Sequence, residues 1–318
     1  MQKRRFSGGI GVLGLAGLLA LGLAALPAAE DLPRFTEWST PVNLGDIVNS
    51  SSTEAGAFIT KDGLSLYFSS YRPGGYGSLD LWVSQRASVD DAWGMPQNLG
   101  PDINGTGSET TPAISVDGHR LYFASERPGG FGGLDLYVSR RHDNRDDLGW
   151  QLPVNLGDAV NTSLVERGPT LFDDDATGMI TLYFSSNRPG GAGNEDIYTS
   201  TLQPDETLAP AVNVPELNSP FNDSVPAVRR DGRELFLCSP RTGQVGGTDL
   251  WVATRPSTLE PWSAPADLGA TINSTDLDFR PAISFDGEVL YFHSARPGGF
   301  GGYDLYVTTR TKITGRNK

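Results

Sequence analysis

An all-β ring of five four-stranded antiparallel sheets is predicted by three features of this 318-residue sequence. A glycine-rich loop recurs: Arg72, Arg127, Arg188, Arg241 and Arg296 each lead, eight residues on, to Asp80, Asp135, Asp196, Asp249 and Asp304. The arginines stand 55, 61, 53 and 55 residues apart, a period that marks a repeat architecture. Asp-Gly steps recur at Asp62, Asp117, Asp231 and Asp286, supplying the positive φ of a tight hairpin. The two ends of the array also complement each other. The last copy stops after Tyr303-Asp-Leu-Tyr-Val307 without its final strand, whereas Trp38 and Pro41-Val-Asn-Leu-Gly45 stand unattached before the first copy. Five units that cannot bury their faces alone, with one strand displaced to the N-terminus, predict a five-bladed β-propeller closed by an N-terminal strand.

The second copy illustrates each element. Pro112–Val116 is the first strand, Asp117-Gly118 the turn and Leu121-Tyr-Phe-Ala124 the second strand. The loop Ser125–Gly133 follows, then Leu134-Asp-Leu-Tyr-Val138 and, after Trp150, Pro153-Val-Asn-Leu-Gly157. Aromatic and β-branched residues fill these runs, as pleated strands prefer. Leu-Tyr-Phe is apolar at consecutive positions, which predicts a strand covered on both faces. Trp38, Trp93, Trp150 and Trp262 hold one position and are expected to pack between outer strands. The third copy departs from the pattern with a longer hairpin, Asp173–Thr181, no tryptophan, and Asn194-Glu195 before Asp196; the fourth reads Pro240-Arg-Thr-Gly243 in place of RPGG.

The Asp-Gly, Leu-Tyr-Phe, RPGG-x-GG-x-Asp-Leu-Tyr succession over residues 35–310 resembles the WD40-like, TolB-type propeller repeat of exported bacterial proteins. The resemblance implies a propeller fold and a cell-envelope setting.

In such a blade the interblade link and the loop between the second and third strands leave at the same end. The links carry Asn49, Asn104, Asn161, Asn218 and Asn273, each followed five residues later by Glu54, Glu109, Glu166, Asp223 or Asp278. Five acids and five arginines are therefore expected on one face. One expectation is a structural clasp, in which each Arg binds a carboxylate or carbonyl and each loop Asp accepts N–H groups of its turn. The other is a ring of acids at the channel mouth holding a cation, for which calcium suits oxygen-only ligands, or a basic partner segment. Tyr76, Phe131 and Phe300 are candidates for stacking on sugar or peptide. The Asn-x-Ser/Thr steps belong to the repeat turn, and the charged loop Arg140–Gly149 is expected to be solvated on the opposite face.

Residues 1–29 combine a basic start, Lys3, Arg4 and Arg5, with the apolar run Ile10–Leu26, which predicts a secretory signal or, alternatively, an N-terminal anchor. The expected domains are that signal, the propeller over 30–310 and a basic tail over 311–318. The net charge of −13 falls to about −16 once the three basic residues are removed, which argues against nucleic acid or anionic lipid as partners. The one cysteine, Cys238, excludes an internal disulfide. No nucleophile elbow or metalloprotease motif is present, and His119, His142 and His293 fall at unrelated repeat positions.

These features lead to the expectation of a periplasmic or secreted, monomeric, cofactor-free, non-enzymatic propeller. It would bind protein or envelope polymer through its RPGG-loop face, with carbohydrate as a further possible partner. A carbohydrate-binding propeller and a glycoside-active enzyme, whose carboxylates would sit at the axis, are the alternatives.

Overall fold

The structure, a computed structural model, describes residues 34–313; the expected signal or anchor lies outside the described residues. Five four-stranded antiparallel sheets form a ring, and each blade's first strand lines its axis. These inner strands are Glu54–Ile59, Glu109–Ile114, Glu166–Asp173, Ser224–Val228 and Asp278–Ile283 in blades 1 to 5. The second strands are Ser65–Ser70, Arg120–Ser125, Ile180–Ser186, Glu234–Ser239 and Val289–Ser294. The third strands start at the loop aspartates: Asp80–Gln85, Asp135–Arg140, Asp196–Leu202, Asp249–Thr254 and Asp304–Thr309. The fourth strands have only two residues, as in Val154–Asn155, because the asparagine side chain turns the chain by accepting from the glycine two residues on.

Val42–Asn43 supplies the fourth strand of blade 5, pairing Val42 with Val307 and Asn43 with Tyr306. A second closure follows. Arg34–Phe35 pairs with Lys312–Ile313, so the ordered ring takes in the first part of what the sequence marks as a basic tail. Phe35 then lies 3.8 Å beneath the Arg310 guanidinium.

Consecutive apolar residues of the second strands are buried on both sides, as their pattern predicts. Phe68, Phe123, Phe184, Phe236 and Phe292 occupy one position in five blades and are fully buried. Side chains of neighbouring blades share each core: Tyr67, Leu81 and Val83 of blade 1 pack with Ile114, Leu121 and Phe123 of blade 2. Truncating one such phenylalanine to alanine costs about 3–5 kcal/mol.

Candidate functional site at the propeller axis

At the RPGG end each blade carries the same set of bonds. Arg72 donates from its backbone and from Nε to Ser70 Oγ, both at 3.0 Å, and from Nη2 to the Val48 carbonyl and, at 3.1 Å, to Glu54. Its guanidinium lies 5.1 Å over the Phe68 ring. Arg127, Arg188, Arg241 and Arg296 repeat the arrangement against Glu109, Glu166, Asp223 and Asp278. Asp80 accepts from the Tyr76 and Gly77 N–H groups at 2.6 and 3.1 Å and from Asn98 at 2.9 Å, fixing the loop. Asp135, Asp196, Asp249 and Asp304 likewise accept from their own loops.

Glu54, Glu109, Glu166, Asp223 and Asp278 are all 0% exposed, which corrects their candidacy as an open binding or calcium ring. Four accept from a link hydroxyl, that of Ser50, Thr162, Ser219 or Ser274. Glu109 has Gly105 at that place, receives only its N–H there, and stands 3.6 Å from Arg127. Burial accordingly raises the Glu109 carboxyl above its ordinary value despite Ser125, Gly105 and Arg127. Asn49, Asn104, Asn161 and Asn273 are 1–3% exposed and each side-chain amide bonds both the N–H and the C=O of one third-strand residue, as Asn104 does at Leu81, so these amides do not face a glycosylating enzyme. Tyr76, Phe131 and Phe300 are half exposed, one on each of three separate loops.

The Asp-Gly end carries a second clasp that the sequence reading missed. Arg86, Arg141, Arg255 and Arg310 donate to the carbonyls of Gly63, Gly118, Gly232 and Gly287 and lie 4.1–4.4 Å over Trp93, Trp150, Trp262 and Trp38. Blade 3 lacks both partners, with Leu202 at the arginine position. The recurrence of arginine after the third strand was the available signal. The loop Arg140–Gly149 is not a solvated appendage: Asp147, 5% exposed, accepts from Ser65, Tyr67 and Gln85 of blade 1 and from Arg141, docking blade 2 onto blade 1.

The non-repeating chemistry sits at the axis, just beyond the link acids. There every inner strand is interrupted by a residue of positive φ: Gly56, Thr111, Gly168, Val225 and Arg280. Non-glycine residues adopt this conformation at a cost of order 1–3 kcal/mol. The preceding residues, Ala55, Thr110, Arg167, Ser224 and Phe279, face Ser69, Ala124, Ser185, Cys238 and His293 of the second strands. His293 and Cys238 thus hold equivalent positions in neighbouring blades, which the strand register makes visible.

Two arginines reach across this layer. Arg167 of blade 3 binds Glu195 of its own blade through Nε at 2.6 Å and Nη2 at 2.5 Å, and lies 5.9 Å from the Phe279 ring of blade 5, which is not its neighbour. Burial works against the Arg167 charge, but hydrogen bonding and charge from Glu195 outweigh it and raise its pKa. Arg280 of blade 5 passes over Gly56, where a Cβ would stand 3.2 Å from Nη1, and donates to Thr110 of blade 2. Among the described residues no carboxylate pairs with it. Burial, followed by repulsion from Arg167, lowers its pKa to about 10. The same burial and the two guanidinium charges hold His293 well below its ordinary value, hence neutral. Cys238 is buried and its thiol pushed up to about 11, an inert state.

From the positive-φ layer an axial cavity of about 600 Å³ extends to the Asp-Gly turns, lined by Thr111, Lys61, Asp117, Arg230, Arg280 and Phe285 among others. The binding face expected at the RPGG loops is thereby corrected: the cavity lies toward the other end, where the inner strands finish. A recess of about 240 Å³ adjoins it, sharing Lys61, Ser115, Val116, Asp117 and Leu171 and adding Asp173. Burial pushes Asp117 upward, but the Ser115 hydroxyl, the His119 N–H and the Arg120 charge hold it below its ordinary value. Asp173 goes the opposite way. Burial, reinforced by the charges of Asp117 and Asp175, raises its carboxyl although Arg230 opposes the shift.

No protein-family model and no curated protein matches the sequence. Solved structures do match in shape. A GH62 α-L-arabinofuranosidase catalytic domain from Coprinopsis cinerea is 15% identical, with 88% of this chain and 98% of that one covered at a TM-score of 0.56. An α-L-arabinofuranosidase from Lactobacillus brevis is 17% identical, with 86% and 95% covered at 0.58. A GH43_1 enzyme from Xanthomonas citri, solved with xylotriose, is 15% identical, with 88% and 95% covered at 0.54. At these identities the likeness shows the shared fold. That the matching structures are glycoside hydrolases overturns the expectation of a non-enzymatic module binding protein or envelope polymer, and brings forward the alternative placed last.

Proposed function

We propose that this propeller acts on glycosides, taking a saccharide into the axial cavity from the Asp-Gly end. The observation that carries the reading is the pair Asp117 and Asp173, two carboxyl groups in one recess at the cavity, one held ionised and the other pushed toward its protonated form. Glycosidic cleavage uses two carboxyl groups in those states: a protonated one gives its proton to the leaving oxygen, and an ionised one attacks the anomeric carbon or activates water. Asp173 takes the first role and Asp117 the second. The hairpin turn holds Asp117, whose Oδ1 accepts the His119 N–H at 3.0 Å, so the carboxylate is oriented before substrate arrives. Phe285, with the Lys61 ammonium 4.8 Å and the Arg230 guanidinium 5.5 Å from its ring centre, offers an apolar surface for a sugar ring.

We also place the protein outside the cytoplasm, on the basic start and apolar run of residues 1–29, and regard its repeat as a TolB-type repeat carrying a glycoside site.

The test is hydrolysis. Purified protein would be incubated with aryl glycosides and with xylan- and arabinan-type oligosaccharides while released sugar is measured. Turnover should fall by about 10²-fold or more in Asp173→Asn and in Asp117→Asn, with melting temperature little changed in the first. Absence of turnover on every glycan, or full activity in both variants, removes the reading.

A further inference from the structure

The charge of the cavity runs against the charge of the chain. The protein as a whole carries −13, yet six basic and three acidic side chains line the axial cavity. Two of the acids are committed: Asp147 accepts from Ser65, Tyr67, Gln85 and Arg141, and Asp62 closes its own turn through Thr60 and the Leu64 N–H. On the basic side, Arg141 is paired with Asp147, Arg145 with Asp143 and Arg230 with Asp175. Lys61, Arg86 and Arg280 have no carboxylate partner among the described residues. Arg86 is spent on the Gly63 carbonyl and the Trp93 ring, and Lys61 stands over Phe285. Arg280 remains, in the positive-φ layer of the cavity wall, with a side-chain hydrogen bond to Thr110.

Holding an unpaired guanidinium there is costly in two ways. Arg280 occupies a φ of 56°, where blades 1 and 3 have glycine, and its charge is desolvated beside a second arginine. A desolvated charge without a partner is destabilising until a counter-ion arrives. The fork of a guanidinium matches a carboxylate in two parallel hydrogen bonds.

We infer that the axial cavity selects an acidic saccharide, a uronic acid or a uronic-acid-substituted oligosaccharide, whose carboxylate is received by Arg280 while Lys61 and Arg230 add a positive field toward the opening. This rests on the glycoside reading and names its substrate class. The sugar ring bearing the carboxylate sits beside the positive-φ layer, so its neighbouring units extend toward Asp117 and Asp173.

Binding of matched pairs tests it by calorimetry on the intact chain at low ionic strength: glucuronic acid against glucose, and a glucuronic-acid-substituted xylo-oligosaccharide against xylotriose, with acetate as the bare anion. The acidic member of each pair should bind at least tenfold more tightly, and the advantage should shrink as salt is raised. Arg280→Gly, which keeps the backbone conformation that glycine adopts readily, should fold at least as well and bind both members equally; Arg280→Lys should keep part of the preference. Equal binding of acidic and neutral sugars by the native chain would overturn the inference and leave the glycoside reading standing. A preference that survives in Arg280→Gly would overturn the assignment to Arg280. Binding of acetate with no sugar bound at all would sink both.

Discussion

At the RPGG rim, Arg72, Arg127, Arg188, Arg241 and Arg296 make one set of bonds five times over, to a serine and a carbonyl, each beside a buried acid. At the axis, the residues that follow those acids read Ala-Gly, Thr-Thr, Arg-Gly, Ser-Val and Phe-Arg, and no two pairs are alike. A group present in every blade has a task that every blade shares, which is joining itself to the next. A group found in one blade breaks the symmetry, and a ligand that is not five-fold symmetric needs that asymmetry. The rim therefore reports on stability, and the axis and its cavity on function.

The largest expected effect comes from opening the ring. Deleting residues 34–50 removes the Val42–Asn43 strand, the Asn43 bond to Asp304 and the Asn49 bonds to Leu305, leaving the edge of blade 5 unpaired. The truncated chain should be insoluble or melt far below the intact protein; an unchanged melting curve would show that closure contributes nothing.

Next in size is a single rim clasp. Arg188→Ala strips Glu166, which is fully buried, of its counter-charge and frees the Val160 carbonyl, so unfolding free energy should drop by about 2 kcal/mol. Denaturant melts would read this. A loss below about 0.5 kcal/mol would place the clasp among surface ion pairs of little consequence.

The rim is not quite uniform, and a smaller effect exploits this. Glu109 lacks the link hydroxyl that Glu166 receives from Thr162, and its pKa is raised. A carboxyl raised in the folded state binds protons more tightly than in the unfolded chain. Its stabilising contribution is complete below the ordinary glutamate range and is lost as pH rises through the raised value. Glu109→Gln should thus gain on the native protein as pH rises from the ordinary glutamate range toward neutrality. Stability profiles of Glu109→Gln and the native protein that run parallel with pH would contradict the raised carboxyl.

The smallest effect is the response to calcium. With all five link acids buried among hydroxyls, N–H groups and arginines, adding calcium or chelator should leave the melting temperature where it is. A calcium-dependent rise abolished in a Glu109→Gln, Glu166→Gln double variant would turn the rim into a metal site and break the contrast with the axis.

Particular residues mark what could be read in advance. The loop aspartates and Asp-Gly turns announced the blades, since a tight turn of positive φ strongly favours glycine and therefore repeats as a word. Trp38 and Pro41–Gly45 announced the closure because a blade lacking one strand must find it elsewhere. Arg280 and Asp173 were not readable, for the opposite reason: a residue that occurs once has no pattern to stand out from. Glu195 was noticed as an irregularity, but its partner Arg167 lies 28 positions away and was not.

The sequence by itself determined the number of blades, their strand order and the junction at which the ring closes, because these follow from local turn chemistry and from period. Only the tertiary structure decided toward which end the axial cavity lies, that the link acids are buried rather than displayed, and that Asp117 shares a recess with Asp173 of the next blade. Those facts depend on distances between residues that belong to different repeats. Burial and charge at such places are set by how five blades meet around one axis, and no single repeat contains that information.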